Sequence, residues 1–308
     1  MCSIYIRKDF ALNQEEIEKL VEESKNKLEE LEKFGKDSNY IKELSNLALL
    51  QIELENYTEA ENNLLLCLKH FKNQRDRLGQ AAVLGLLGVL FYKKDEYEKS
   101  IEFYTEAFEI YKELNQIQEE ITCLKGIGNN YIKLNTLDNA CEIFLECSAI
   151  CSDNDDIYNL LDCLGNLIYI YEKKENWDIL NELYLKSLEA FKRLKDNKGI
   201  IVTTFNLGIL QKKEKKLIEA LKYFKQGTDL ATKSNFSELI IKGLSYVGEI
   251  LFLQGQAKKA QGKFIKALHL ANQVNAKNAI MQLKILLRSL GLNKEDFEEI
   301  LKSNNNYK

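Results

Sequence analysis

Apolar residues recur along this chain at three- and four-residue steps, and short polar clusters such as Lys93-Lys94-Asp95-Glu96 and Glu175-Asn176 interrupt them. That spacing gathers the apolar side chains on one face of an α-helix, because a helix returns to the same side every third or fourth residue. Two such helices joined by a polar turn predict a helical hairpin. One hairpin is too small to bury its own apolar faces, so its neighbours must cover them. The sequence contains no proline, where average usage near 5% would give about fifteen in a chain of this length, so no pyrrolidine ring breaks these helices.

The hairpins repeat. Leu84, Leu87, Gly88 and Phe91 are followed by Tyr97, Ser100, Tyr104 and Ala107. Forty residues on, Leu124, Ile127, Gly128, Tyr131, Leu137, Ala140, Phe144 and Cys147 occupy the same columns. The columns continue through Leu164, Trp177 and Tyr184, then Gly208, Ala220 and Phe224, then Gly248, Ala260 and Phe264, and run back to Leu44, Tyr57, Ala60 and Cys67. Six units keep one register without insertion or deletion: 41–80, 81–120, 121–160, 161–200, 201–240 and 241–280. Small residues (Gly88, Gly128, Gly208 and Gly248 in the first helix, Ala60, Ala140, Ala220 and Ala260 in the second) are expected where helices cross closely. The aromatic column Tyr104, Phe144, Tyr184, Phe224 and Phe264 is expected to fill the space between units at interior packing density. The fourth unit fits worst, with Ile168 and Leu180 at small-residue places, so a packing shift is expected there.

These columns resemble the tetratricopeptide repeat family, whose 34-residue unit carries a Leu-Gly pair, a Tyr, an Ala, a Phe and an Ala in the same phases. The resemblance covers residues 41–280. It implies an all-α, right-handed TPR-like α-solenoid of six helix-turn-helix repeats with N- and C-terminal capping helices. Two departures, the missing proline and the six extra residues per unit, imply second helices longer by about a turn and a half, as in the 40-residue repeats of spindle-orientation scaffolds, kinesin light chains and Rap-type peptide receptors. Residues 1–40 are read as an N-terminal segment and capping helix. Asn13 is the expected N-cap before Glu15 and Glu16. Residues 281–308 are read as the C-terminal cap: Gly291 stops one helix, Asn293 opens a short one to about Lys302, and a polar tail follows.

In this family the first helices line a concave groove, and the second, fifth, sixth and ninth places of each unit point into it. The resemblance therefore nominates Asn46, Lys125, Asn129, Asn166, Tyr169, Phe205, Asn206 and Tyr246 as ligand-binding residues. A side-chain amide both donates to and accepts from a peptide backbone, so the Asn column suits a protein or peptide partner; the other reading is that these amides bond within the array. Lys125, Asn129 and Asn166 also match three of the five places of the family's carboxylate clamp, but Val202 and Asn206 stand where that clamp needs cations. Ile209 and Phe252 add apolar surface nearby.

Composition narrows the function without naming it. Net charge is only −4, yet residues 201–308 hold 18 Lys and Arg against 9 Asp and Glu, while residues 1–200 hold 25 against 38. Opposite ends of this kind imply weak head-to-tail self-association as one option. The basic run Lys212–Lys216 with Lys258 and Lys259 comes with no RNA-binding signature and is read as solvated turns, so no nucleic acid is expected. The column Lys93, Lys133, Lys173 and Lys213 is read as an offset to helix dipoles.

No stretch reaches the roughly 20 apolar residues of a membrane helix, and Met1–Glu15 has no signal-peptide pattern. Six of the seven cysteines lie within helical patterns, which suits a reducing compartment, and a cytoplasmic location is expected. Cys147 and Cys151 stand one turn apart with Cys141 nearby, which raises zinc. No Cys-x-x-Cys pair accompanies them and His70 and His269 are remote, so the thiols are read as small packing residues, with no metal and no cofactor. Asp153–Asp156 lacks the glycine and closing glutamate of a calcium loop. No phosphate loop or activated nucleophile appears, so the chain is read as a non-enzymatic scaffold or adaptor. A peptide-sensing regulator like the Rap-type receptors, or a self-assembling structural unit, are the alternatives.

Overall fold

A computed structural model describes residues 13–293 and 295–297, and every regular element among them is helical. α1 (Gln14–Glu32) precedes a series of hairpins. The first three are α2 (Ser38–Glu53) with α3 (Tyr57–Gln74), α4 (Arg77–Lys93) with α5 (Tyr97–Glu113), and α6 (Ile117–Lys133) with α7 (Leu137–Asp153). α8 (Ile157–Lys173) and α9 (Trp177–Arg193) belong to the fourth repeat. α10 (Asn197–Lys213) with α11 (Leu217–Lys233), α12 (Ser237–Leu253) with α13 (Ala257–Gln273), and α14 (Lys277–Ser289) complete the series. The first helices start a few residues before the forty-residue block boundaries.

The expected lengthening of the second helix alone does not occur. From α4 to α13 every helix has 17 residues, so first and second helices are equal and the unit is two matched halves of twenty. Each half ends in the same way, with one residue in the left-handed region. These residues are Glu55, Arg75, Asp95, Asn115, Asn135, Asp155, Glu175, Lys195, Lys215, Asn235 and Asn275, with φ between 52 and 61°, and Gly255 at 75°. The reversal turns amides back onto the helix end: Asp95 N–H donates to Tyr92 O at 3.1 Å and Glu96 N–H to Phe91 O at 2.9 Å. This pair of bonds satisfies carbonyls that the last turn would leave open.

A left-handed residue that carries a Cβ is disfavoured by roughly 1–2 kcal/mol, and only Asn and Asp offset that with local hydrogen bonds. Lys195→Gly is therefore expected to raise stability by about 1 kcal/mol, read as a higher urea midpoint; an unchanged or lower midpoint would show that the turn is not strained.

The chain divides into two compact units, residues up to Ile170 and residues from Tyr171 onward. The division falls within α8, in the repeat that departs most from the pattern. In the first unit each helix packs on the next from α1 to α7, and α2, α4 and α6 also lie side by side. The second unit has the same order from α9 to α14, with α10 beside α12.

The close approaches follow the small-residue columns. A Cβ placed on Gly88 would stand 2.8 Å from the Tyr104 ring, on Gly128 2.7 Å from Phe144, on Gly208 2.7 Å from Phe224, and on Gly248 2.6 Å from Phe264. Each aromatic therefore lies flat on the bare backbone of its own hairpin partner. Ala60, Ala140, Ala220 and Ala260 are wholly buried opposite them. Ser100 Oγ donates to Gly88 O at 2.7 Å, and buried Asn130 Nδ2 donates to Ser100 Oγ at 3.0 Å and Gly126 O at 2.8 Å, which ties α4, α5 and α6 together.

The cap is fixed by polar bonds. Asn13 and Glu16 form a reciprocal capping box at the start of α1. Buried Glu43 on α2 accepts from Ser24 Oγ at 2.7 Å and Lys27 Nζ at 2.6 Å, both on α1. Burial raises the Glu43 pKa, but Lys27, Ser24 and Asn46 together hold it below the ordinary carboxylate value. At the other end Gly291 has φ 94°, and Asn293 Oδ1 accepts from the Glu295 and Asp296 amides. The expected helix end near Lys302, the polar tail and most of the leading segment lie outside the described residues.

Candidate functional site

In the first unit the exposed face of the first helices is built from α2, α4, α6 and the part of α8 up to Ile170. Asn46 lies half-buried on α2, and its amide is engaged by Glu43. The next helix, α4, contributes an apolar strip of half-buried Ala82, Leu86 and Val89 beside Gly85, over which nothing lies within 4 Å. Beyond it α6 presents Lys125 and Asn129, and α8 presents Asp162, Asn166 and Tyr169.

Lys125 is already answered from within. Its ammonium pairs with the Asp162 carboxylate and donates to Asn159 Oδ1 at 3.0 Å. Burial pulls the Lys125 pKa down, but Asp162 outweighs it and holds the ammonium above its ordinary value. A carboxylate ligand would have to displace Asp162, which itself occupies a groove-facing place. The clamp-like match is thus filled by the chain's own acid.

Asn129 is exposed and its amide is uncommitted. Asn166 donates to the Asp162 carbonyl one turn back at 3.1 Å, which leaves its amide oxygen available. Tyr169 is 44% exposed.

The second unit holds the other three candidates, and one of them is misplaced by the sequence reading. Phe205 is only 2% exposed. Its ring lies over Gly227 and Gly243 and meets Phe224 at 6.3 Å and Tyr246 at 5.6 Å between centroids, so it packs between repeats and cannot touch a ligand on the face. Tyr246 stacks on Phe224 at 4.7 Å and is half-buried. Asn206 is half-buried with an uncommitted amide, between exposed Val202 and half-buried Ile209.

Among the other charged side chains, Lys212 at the end of α10 pairs with Glu249 at 2.9 Å and Lys216 with Glu214 at 3.3 Å. Lys93 sits 3.6 Å from Glu53 of the preceding first helix. Asp156 accepts from the Asn159 amide and side chain and from Gln118, which makes Asp153–Asp156 a helix junction. No described helix is long and apolar enough to cross a membrane.

Sequence reasoning missed Asp162 and Asn159, because their partner Lys125 belongs to the preceding repeat. The signal was present: the second groove place is acidic only in that repeat.

A family model described as tetratricopeptide repeat matches residues 43–113, which spans most of α2 through α5. Residues 43–113 are thus tetratricopeptide repeats by sequence. The same hairpin geometry recurs well past the matched span. Its fold is similar to the apo form of RapI, at 14% identity over 81% of this chain and 97% of that one, TM-score 0.52. It is similar also to the apo form of the quorum sensor NprR from B. thuringiensis, at 16% identity over 93% and 85%, TM-score 0.51. A third likeness is to a signal transduction ATPase with numerous domains from Pyrococcus horikoshii that carries a tetratricopeptide repeat sensor, at 12% identity over 87% and 44%, TM-score 0.52. These identities speak for the fold alone. No curated protein matches the chain.

Proposed function

We propose that this tetratricopeptide repeat protein is a non-catalytic interaction module that binds a peptide or protein segment on the first-helix face of its first unit. The observation that carries the reading is the pairing of an uncommitted amide, Asn129, with the half-buried apolar strip of α4, Leu86 and Val89. An amide grips main chain with little regard to sequence, and the strip accepts apolar side chains; recognition of a polypeptide needs both.

Asn166 and Tyr169 extend the surface on α8, and Asn46 closes it on α2. Lys125 acts here as a support that orders Asp162 and Asn159, not as a free cation. A partner is therefore selected by backbone and apolar contacts more than by a terminal carboxylate. Asn206 and Tyr246 offer a separate patch on the second unit.

The test uses peptides selected from a displayed random library against the full chain. Replacing Asn129 and Asn166 together with Ala is expected to weaken the selected peptides about tenfold, roughly 1.4 kcal/mol, with helicity unchanged, while Glu146→Ala on the outer α7 leaves binding intact. Equal affinity for the double variant would reject this face.

A further inference from the structure

Three thiols converge in the first unit. Cys147 and Cys151 lie one turn apart on α7 and Cys163 lies on α8, and their sulfurs all fall within 4.8 Å of one another. Cys163 Sγ stands 3.1 Å from Cys147 Sγ, and all three residues have 0% exposure. Expectation from sequence treated these cysteines as packing residues, and for Cys147 that holds: Cys67 fills the same column in the first repeat, and both thiols face an equivalent carbonyl, Ile41 O at 3.5 Å and Ile121 O at 3.8 Å.

The other two are not required by packing. The column of Cys151 holds Phe71, Tyr111, Phe191, Ala231 and Ala271 in the other repeats, and that of Cys163 holds Glu43, Val83, Cys123, Thr203 and Gly243. The repeat tolerates large and small residues in both columns. Among the described residues three sulfurs meet only between the third and fourth repeats, so their convergence is a property of this one junction.

We propose that Cys147, Cys151 and Cys163 form a three-thiolate site for a soft monovalent d10 cation, Cu(I). Thiolate sulfur selects soft metals, and no imidazole or carboxylate joins the cluster among the described residues. Structural zinc takes four ligands in a tetrahedron, and here a fourth is missing from the protein, while full burial keeps water from serving as one. A three-coordinate soft ion needs nothing more. Lys125, whose ammonium interacts with these cysteines, supplies a positive charge beside the anionic cluster. Loading exchanges thiol protons, released to solvent, for sulfur–copper bonds; copper remains Cu(I) and no sulfur is oxidised.

The test titrates reduced, oxygen-free full-length protein with Cu(I) against a chromogenic Cu(I) chelator and counts sulfur neighbours by X-ray absorption. One Cu(I) per chain with three sulfurs is expected. That uptake should vanish in Cys151→Phe/Cys163→Val, which restores the side chains that Phe71 and Val83 supply at the junction of the first and second repeats, with circular dichroism reporting the fold. It should persist when Cys67, Cys123 and Cys141 are together replaced by Ala. If the double variant does not fold, the sulfur count of the wild-type chain and the triple variant's uptake decide between the outcomes. Copper left with the chelator, two-sulfur coordination, undiminished uptake by the folded double variant, or preferential binding of one Zn²⁺ would each overturn the assignment.

Discussion

Phe224→Ala is expected to destabilise the second unit by about 3–5 kcal/mol, the largest effect of any single truncation in that unit. Phe224 is wholly buried, lies on the bare backbone of Gly208, stacks on Tyr246 and meets Phe205, so removing its ring opens a cavity walled by rings and backbone. Rings are stiff and cannot flow into the gap, which places the cost toward the upper part of the range. Stability in a repeat array is close to a sum of local units and their nearest-neighbour interfaces, so the loss should be local. Hydrogen exchange followed by mass spectrometry should show faster exchange across α10 to α13, with α2 to α5 little changed. A uniform acceleration along the whole chain, or a loss under 1 kcal/mol, would contradict this view of the packing.

Gly128→Leu is expected to cost about 1–3 kcal/mol or more in the first unit, because the added side chain must enter space that the Phe144 ring fills. A ring held on all sides cannot retreat by the distance required. Gly165→Ala makes a matched comparison two helices along: nothing lies within 4 Å of a Cβ there, and the substitution should gain up to about 1 kcal/mol from helix propensity. Urea titrations of both variants give the comparison directly. Similar effects of the same sign at the two sites would show that the glycines serve backbone freedom and not close packing.

The parts of this structure that sequence made legible are those written in columns. Glycine and aromatic columns recur at one fixed interval, as in Gly128 and Phe144 or Gly208 and Phe224, so both columns were legible, but the ring expected between units packs on the glycine of its own hairpin. Helix lengths were less legible. The chain reversals fall on Glu55, Arg75, Lys195 and Lys215, residues with no preference for left-handed backbone, and the turn is imposed by packing on both sides.

Phe205 failed for a related reason. The fifth place of the first helix is open at Gly85 and Gly165, but at Phe205 two later glycines, Gly227 and Gly243, create a slot that takes the ring inward. Pockets made by residues distant in sequence leave no mark in a local pattern. Lys125 and Asp162, and Cys163 with Cys147, are hidden by the same distance: each pair joins neighbouring repeats, and only the stacked hairpins bring them into reach.

Equal helices closed by one recurring reversal give this chain an internal ruler with a twenty-residue division. Within either compact unit, a whole repeat added or removed would keep first and second helices in alternation, whereas a half-unit would exchange the surfaces that the following helices turn outward. The length of such a protein is thus free to drift over generations in steps of forty, and selection against intermediate lengths needs no cause beyond the geometry of the turn.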